Sequence, residues 1–222
     1  LVLVGLGSPA AAQEAFWPLW SDGQAELNGY DLQIPRYGEL RRGFAVLVYV
    51  TEPLSRQSMV KVDRYDSSNP DHFTALKLNR IERFQTGIYN YSMMTSVFTD
   101  PMNHFLPLKT NFTAQEWCGH VFEQVVFGRQ GTLVETRSYF EGETAEVKLP
   151  SGVTSEDALF VTARGLASGG PMGHDDQQVD MLGTSRRRRL KHQPTRVFNT
   201  QIRWSGPTTI KVPAGEFAVR TM

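Results

Sequence analysis

Two stretches near the middle of the chain decide the fold, Phe84-Gln-Thr-Gly-Ile-Tyr-Asn-Tyr-Ser-Met-Met-Thr-Ser-Val-Phe98 and Gln115-Glu-Trp-Cys-Gly-His-Val-Phe-Glu-Gln-Val-Val-Phe127. In both stretches, aromatic and sulfur-containing side chains alternate with small polar residues. A period of two residues is typical of a half-buried β-strand. We therefore expect these stretches to form the centre of a β-sheet, with Gln115–Phe127 as one central strand.

The same alternation continues on the N-terminal side of this centre and predicts hairpins. Phe73–Phe84 alternates almost perfectly, and a turn at Thr86-Gly87 would join it to a strand at Tyr89–Phe98. Earlier in the chain, the continuous apolar run Gly43–Val50 is typical of a central strand that is buried on both faces, or of a tightly packed strand in a sandwich. We expect this run to pair with Ser58–Tyr65. On the C-terminal side, the turn at residues 128–131 predicts a further hairpin.

One helix is predicted, at Thr154–Leu166. Thr154 or Ser155 can cap its first turn, where acidic residues also interact favourably with the helix dipole. The basic run Arg186 to Arg189 favours a solvated turn, because no glycine-rich or aromatic cradle for a phosphate accompanies it. Binding of phosphate or lipid head groups by this run is the alternative.

Together these elements predict a mainly antiparallel β-protein with one short helix, built as a curved sheet or an open barrel-like sandwich. A single β-rich domain over residues 13–222 is expected, because a chain of 222 residues with 40% hydrophobic side chains can fill one large core. Helix should then account for less than about a quarter of the residues. The same periodicity excludes a parallel α/β fold.

The charge balance argues against two classes of partner. Lysine plus arginine and aspartate plus glutamate number 23 each, so no net field attracts nucleic acid or an anionic membrane. No run approaches the roughly 18 apolar residues that a membrane span needs. We therefore expect no nucleic-acid partner and no transmembrane span, and the sequence does not predict the oligomeric state.

The first residues resemble a signal peptide that lacks its basic n-region. Leu1–Gln13 is an apolar run closed by small residues in the A-x-A pattern of a signal-peptidase site. A core strand is the alternative, which Gly5 and Gly7 disfavour. We expect residues 1–12 to be a signal-peptide remnant and the protein to be exported, either to the bacterial periplasm or outside the cell. Because the sequence stops within the predicted strand Glu216–Met222, a truncated C-terminus is expected as well.

The ending Ile210-Lys-Val-Pro-Ala-Gly-Glu-Phe217 resembles a hairpin of uncharacterised exported bacterial proteins, in which a V-P-A-G-x-F turn joins the last strands of a β-rich fold. Further segments that look like this family are Phe84–Phe98, Gln115–His120, the helix at Glu156 and Arg187–Pro194. Some members of the family are labelled septum formation inhibitor Maf. The S-P-R-R motif of Maf nucleotide pyrophosphatases is missing, since Ser8-Pro9 is followed by two alanines. The resemblance therefore implies an exported β-rich fold and no catalytic residue.

Cys118 and His120 lie two residues apart, so on one strand their side chains would point to the same face. The imidazole could then act as a base for the thiolate or bind a metal ion beside it. Two ligands are too few for a closed zinc site, so we expect no metal and no cofactor. As the only cysteine of the chain, Cys118 is expected to be a small, buried, apolar side chain.

The aromatic and sulfur-containing side chains of the central stretches offer a site of another kind, an apolar cavity on the concave face of a curved sheet. The predicted ligand-binding residues are Tyr89, Tyr91, Met93, Trp117, Cys118 and His120. An ordinary core is the alternative, because alternating aromatic residues also fill the interior of a sandwich.

Two other groups of polar residues have weaker support as sites. His174, Asp175 and Asp176 are metal-ligand types, but the glycine-rich composition around them indicates a solvated loop. Glu116 and Glu123 could serve as an acid–base pair, but their odd separation places them on opposite faces of one regular strand. A glycosidase dyad is therefore not predicted.

Two functions of different class remain. The first is a non-enzymatic, exported binding or envelope-associated module that holds an apolar or amphipathic small molecule, or an envelope component, against the sheet. The second is a hydrolase that uses Cys118 and His120. The first is favoured, because no catalytic signature accompanies the second.

Overall fold

The computed structural model of this chain describes residues 17–18, 20–103, 105–166, 176–203, 205 and 207–221. Of the described residues, 61% lie in strands and 11% in helices. The helical share is well below a quarter, so the prediction of a mainly antiparallel β-protein with a short helix is confirmed. The predicted signal-peptide remnant, residues 1–12, lies outside the described residues.

The main sheet is a meander of eight strands, in which each strand pairs antiparallel with the next one along the chain. Its strands are β1 (Glu26–Arg36), β2 (Glu39–Ser55), β3 (His72–Thr86), β4 (Tyr89–Asp100), β5 (Leu106–Glu116), β6 (Gly119–Gly128), β7 (Gly131–Ser138) and β8 (Ala145–Leu149). β1 and β8 are the two edges, and the sheet is not closed into a barrel.

The C-terminal part adds a smaller sheet, two helices and a separate hairpin. In chain order these are β9 (Thr154–Ser155), α1 (Leu159–Leu166), β10 (Gln177–Leu182), α2 (Ser185–Leu190), β11 (Val197–Ile202), β12 (Pro207–Val212) and β13 (Gly215–Arg220). β10 pairs antiparallel with β11 and parallel with β9, and β12 pairs with β13. None of the described helices is long and apolar enough to span a membrane.

The predicted helix begins where its capping signal places it. A short 3-10 turn, Glu156–Ala158, leads into α1. Its cap is Ser155, whose hydroxyl oxygen accepts a hydrogen bond from the backbone N–H of Asp157 at 3.2 Å. A side chain therefore satisfies one of the backbone donors that the start of a helix leaves unpaired.

Two predicted hairpins are confirmed. β3 and β4 pair with Phe84 opposite Tyr91, and Gly87 takes the left-handed conformation in the turn between the strands, at a φ of 60°. β6 and β7 are joined by the turn between Gly128 and Gly131, which pair with each other. The alternating pattern sets the register of both hairpins, because a slip of one residue would turn every apolar side chain to the other face.

The prediction of one strand over Gln115–Phe127 is wrong. β5 ends just before Trp117 and Cys118, where the chain reverses, and β6 begins at Gly119. Only glycine fits at position 119, since a Cβ there would lie 2.2 Å from the ring of Tyr139. Tryptophan and cysteine are not turn-forming residue types, so local composition concealed this reversal.

The predicted pairing of Gly43–Val50 with Ser58–Tyr65 is also wrong. β2 continues to Ser55 and pairs with β3, so Ser58–Tyr65 belongs to a loop over residues 56–71. Side chains close this loop at its base: the Ser55 hydroxyl donates to Asp71 at 2.6 Å, and Asp71 also accepts from the backbone N–H of Gln57 at 2.7 Å. Of the predicted segment, only an isolated antiparallel bridge of Lys61 to Leu54, near the end of β2, is present.

The two faces of the main sheet have unlike surroundings. One face, which we call the covered face, packs against α1, α2 and β10. Buried apolar side chains of this face include Leu47, Leu78, Met93, Val97, Phe112 and Val125. Ala158 from the 3-10 turn, Val161 from α1 and Leu182 from β10 complete its core.

The opposite side of the sheet, which we call the open face, carries Phe44, Ile81, Met94 and Phe122. Loop 56–71 lies over one end of it, where Arg56 is placed 4.1 Å above the ring of Phe73. The loop does not cover the other end, where Phe44, Met94 and Phe122 are exposed and Ile81 is half-buried. The covered face and the open face thus share one backbone but differ in solvent contact.

Buried charges hold α2 on the covered face. The carboxylate of Glu123, on β6, is completely buried and lies 2.5 Å from Arg188 Nη2 and 3.3 Å from Arg189 Nε. Burial lowers the pKa of the Arg188 guanidinium, and Glu123 opposes this shift. The prediction of a solvated turn at Arg186 to Arg189 is therefore wrong. The run lies within α2, and arginines can be buried there because carboxylates pair with them.

Two further ion pairs connect β3 to the same C-terminal segments. Arg80 Nη2 donates to Asp157 Oδ1 at 2.9 Å, and Asp157 Oδ2 accepts from the backbone N–H of Ser185 at 2.8 Å. Arg186 Nη1 donates to Glu82 Oε1 at 2.5 Å. The start of α1 and the start of α2 are thereby attached to one strand of the sheet.

We expect Glu123→Gln to lower the free energy of unfolding by about 3–5 kcal/mol, because it leaves the buried Arg188 guanidinium without its charge partner and Arg189 with only Glu143, 3.6 Å away. The matched control is Glu135→Gln on β7. Glu135 lies on the open face and forms no ion pair with any described residue, so its change should stay within about 0.5 kcal/mol. Urea denaturation followed by circular dichroism measures both values. Equal, small effects of the two substitutions would contradict the role of Glu123.

Candidate functional site

The six predicted ligand-binding residues separate into a buried group and an exposed group. Tyr91 and Met93 lie on the covered face and are almost completely buried. The Tyr91 ring stacks on Phe84 with 4.6 Å between centroids, and its hydroxyl oxygen lies 3.0 Å from that of Tyr37. Burial raises the pKa of Tyr91 to about 12. The side chains of Tyr91 and Met93 therefore serve in the core.

The other four residues lie at the hairpin end of the sheet. Tyr89 and Trp117 are 43% and 60% exposed, and their rings meet edge to face with 5.4 Å between centroids. His120 is exposed on β6. Cys118 lies in the turn between β5 and β6 and is exposed, so the expectation of a buried cysteine is wrong. The cause is the reversal of the chain, which takes Cys118 out of the strand and away from the core.

The hydrolase hypothesis needs groups that this end of the sheet does not bring together. Among the described residues, no carboxylate is hydrogen-bonded to the ring of His120, so none orients it as a base toward Cys118. Within the same ranges, no group of three or more histidine, cysteine, aspartate or glutamate side chains could hold a metal ion. His174 and Asp175 lie outside the described residues.

Glu116 and Glu123 point to the same face, and the prediction that they lie on opposite faces is wrong. The turn at residues 117–118 puts them on neighbouring antiparallel strands, and both are buried. Glu123 is paired with Arg188 and Arg189. It is therefore not free to act as one half of an acid–base pair.

The open face carries two adjoining depressions. Their volumes are about 760 and 1010 Å³, and Arg83, Ser92, Gln115 and His120 line both of them. Small-molecule sites typically have volumes of roughly 300–1,000 Å³. We call the two depressions together the open-face groove.

An apolar row crosses the open face, and its members from Ile81 to Phe122 line this groove. Strand pairing places Val46, Ile81, Met94, Thr113 and Phe122 side by side on β2 to β6, and all except Thr113 are apolar. With about 4.8 Å between neighbouring strands, the row is about 19 Å long. Met94 is 38% exposed and Phe122 is 40% exposed, so a substantial part of the row contacts solvent.

A polar row runs parallel to the apolar row. Arg83, Ser92, Gln115 and His120 are successive cross-strand partners on β3 to β6. Each of them lies two residues along its strand from a member of the apolar row, on the same face of the sheet. A molecule in the groove therefore meets an apolar strip and a polar strip side by side.

Three arginines give the groove an unbalanced positive charge. Arg42, Arg83 and Arg137 line it and are exposed. In the part of the chain that the structure describes, none of the three pairs with a carboxylate, whereas each arginine of α2 does. Glu116 also lines the groove, but it is only 8% exposed.

The sequence contains a signal for this groove that the alternating pattern alone does not reveal. Ile81, Met94 and Phe122 occupy the strand positions that alternate with the buried set, where an ordinary solvated sheet face would be polar. The run Gly43–Val50 was expected to be buried on both faces, yet the open-face side of β2 is exposed at Phe44. Apolar residues in both phases of a strand are therefore the sequence signal for the exposed apolar row.

We expect Cys118 in the folded protein to react with iodoacetamide nearly as fast as in the urea-unfolded chain, because its turn is exposed. Cys118→Ser should change the free energy of unfolding by less than about 0.5 kcal/mol, since no core packing is lost. Mass spectrometry of the alkylated fraction over time measures the first value and urea denaturation the second. Protection of the thiol until the chain unfolds would contradict this placement.

Comparison with known proteins assigns no function to this geometry. No family model matches the chain, no curated protein matches it and no solved structure matches it. The resemblance of the C-terminal hairpin to an exported bacterial family stays a prediction. The functional conclusion therefore depends on the residues of the open-face groove.

Proposed function

We propose that this protein is a non-enzymatic binding module that holds an amphipathic small molecule in the open-face groove. We also propose that it acts outside the cytoplasm, on the basis of the signal-peptide pattern in Leu1–Gln13. The observation that carries the binding proposal is the exposed apolar row on one face of a sheet whose other face is already covered.

Removal of apolar surface from water supplies a driving force for a ligand to bind along this row. Fully burying a large apolar side chain is worth about 1.5–3 kcal/mol, so covering the exposed two-fifths of Met94 and of Phe122 would contribute about 1 kcal/mol each. Ile81 and Phe44 add further exposed or half-buried area on the same face. Apolar side chains that are exposed side by side, rather than singly, support a binding site at this position.

The shape of the site favours a small molecule over a large partner. The apolar row lies at a depression whose volume is in the range of small-molecule sites, and it is carried by strands in the interior of the sheet. Side chains on paired strands are held more precisely than side chains on loops. The other class of occupant is a protein, either a second copy of this chain or an envelope protein. Measuring the oligomeric state shows whether a second copy covers the groove.

We expect the neutral fluorescent probe N-phenyl-1-naphthylamine to bind the protein with enhanced emission. Met94→Asp should weaken this binding about tenfold or more, because it places a charged carboxylate in the middle of the apolar row. The matched control is Met102→Asp: Met102 is also an exposed methionine, at 61%, but it lies outside the groove. A fluorescence titration gives the dissociation constant of each variant.

Two outcomes would contradict the proposed function. One is the absence of probe binding by the wild type, and the other is an equal loss of binding in Met94→Asp and Met102→Asp. Size-exclusion chromatography at increasing protein concentration tests the other occupant. A dimer that Met94→Asp dissociates would assign the apolar row to self-association instead.

A further inference from the structure

We infer that the ligand of the open-face groove is an anionic amphiphile, with its head group at Arg83 and its alkyl chain along the apolar row. This inference rests on the proposed function and adds the charge of the ligand and its orientation. It is carried by the charge of the groove and by the register of the strands.

Arg83 is the central cation of the groove. It lines both depressions, and its cross-strand neighbours on the open face are Phe44 on β2 and Ser92 on β4. Asp31 on β1 is the cross-strand partner of Phe44, and it is the nearest carboxylate in the line of cross-strand neighbours that contains Arg83. It is not paired with Arg83. A guanidinium group offers five N–H donors in a fixed fork, which suits the oxygen atoms of a carboxylate, sulfate or phosphate.

Neutral hydrogen-bonding groups continue from Arg83 across the groove. Ser92 and Gln115 follow it in the polar row, and each lies directly opposite the next on paired strands. His120 comes next, on β6. An anionic head group at Arg83 would thus meet a cation and uncharged donors. Glu116 also lines the groove, but it is largely buried.

The apolar row gives the direction of the alkyl chain. Ile81 lies two residues from Arg83 on β3, and the row continues through Met94 and Thr113 to Phe122. The three strand spacings from Ile81 to Phe122 cover about 14 Å. An alkyl chain that leaves a head group at Arg83 would therefore contact apolar side chains along most of this distance.

Charge recognition at such a site is selective because the groove is partly apolar. Hydrogen bonds between a guanidinium group and an anion are about twice as strong as neutral ones, and an apolar surrounding strengthens them further. A neutral head group would leave Arg83 with ordinary hydrogen bonds, and a cationic head group would be repelled by Arg42, Arg83 and Arg137. Affinity should therefore follow the charge of the head group at constant chain length.

The test uses displacement of N-phenyl-1-naphthylamine by three amphiphiles with the same alkyl chain, all below their micellar concentrations. These are dodecanoate, dodecanol and dodecyltrimethylammonium. At neutral pH, dodecanoate should bind the wild type about tenfold or more tightly than dodecanol, and dodecyltrimethylammonium should bind most weakly. Raising the salt concentration should weaken the binding of dodecanoate and leave that of dodecanol nearly unchanged.

Substitutions locate the head group. Arg83→Gln should remove most of the preference for dodecanoate over dodecanol, because it weakens the binding of dodecanoate more than that of dodecanol, and Arg83→Lys should keep part of the preference. The matched control is Arg129→Gln. Arg129 is an exposed arginine in the turn between β6 and β7, outside the groove, and this variant should behave as the wild type.

The outcomes separate this inference from the proposed function. Equal affinity for the three amphiphiles, or a preference for the cation, would overturn the anionic head group while leaving a binding groove. A preference for dodecanoate that Arg83→Gln does not reduce would overturn the placement at Arg83. Failure of the probe and of all three amphiphiles to bind would overturn the proposed function itself.

Discussion

The pairing of the buried carboxylate of Glu123 with Arg188 and Arg189 is the interaction on which the rest of the structure depends. All three side chains are at most 5% exposed, and two of the polar atoms are only 2.5 Å apart. Charges are buried at this depth only when opposite charges meet them, because each unpaired charge would lose its hydration without compensation. The pairing therefore attaches α2 to the middle of the main sheet and decides which face is covered.

The division of the sheet into two faces links this interaction to function. β-strands alternate their side chains, so every residue that faces the ion pairs has neighbours in sequence that face the other way. Met93 is 2% exposed on the covered face, and Met94 is 38% exposed on the open face. The C-terminal segments fill the first face with arginines and apolar side chains. In the proposed function, a ligand covers the apolar row of the second face.

The sequence predicted the structural features that depend on residues close together in the chain. Alternation identified the antiparallel sheet and the β3–β4 hairpin, and a capping serine identified the start of the helical segment at Glu156. Partners that are distant in sequence were not predictable in this way. Arg188 and Glu123 are 65 residues apart, so a local pattern made the arginine run look solvated. Glu123 alternates with Val121 and Val125, so the pattern places it on the buried side of the strand. An acidic residue at a buried position needs a cation as its partner, and this was the signal in the sequence for the ion pair.

We propose that the ligand occupies the open face while the ion pairs keep the covered face closed, and the two adjacent methionines test this arrangement directly. In methyl-labelled methionine NMR, with Met93 and Met94 assigned by single leucine substitutions, a titration with dodecanoate reports on both faces of β4. We expect the Met94 methyl resonance to shift and saturate while the Met93 resonance stays in place. A saturating shift of Met93 with Met94 unchanged would contradict it, because the ligand would then lie between the sheet and α2.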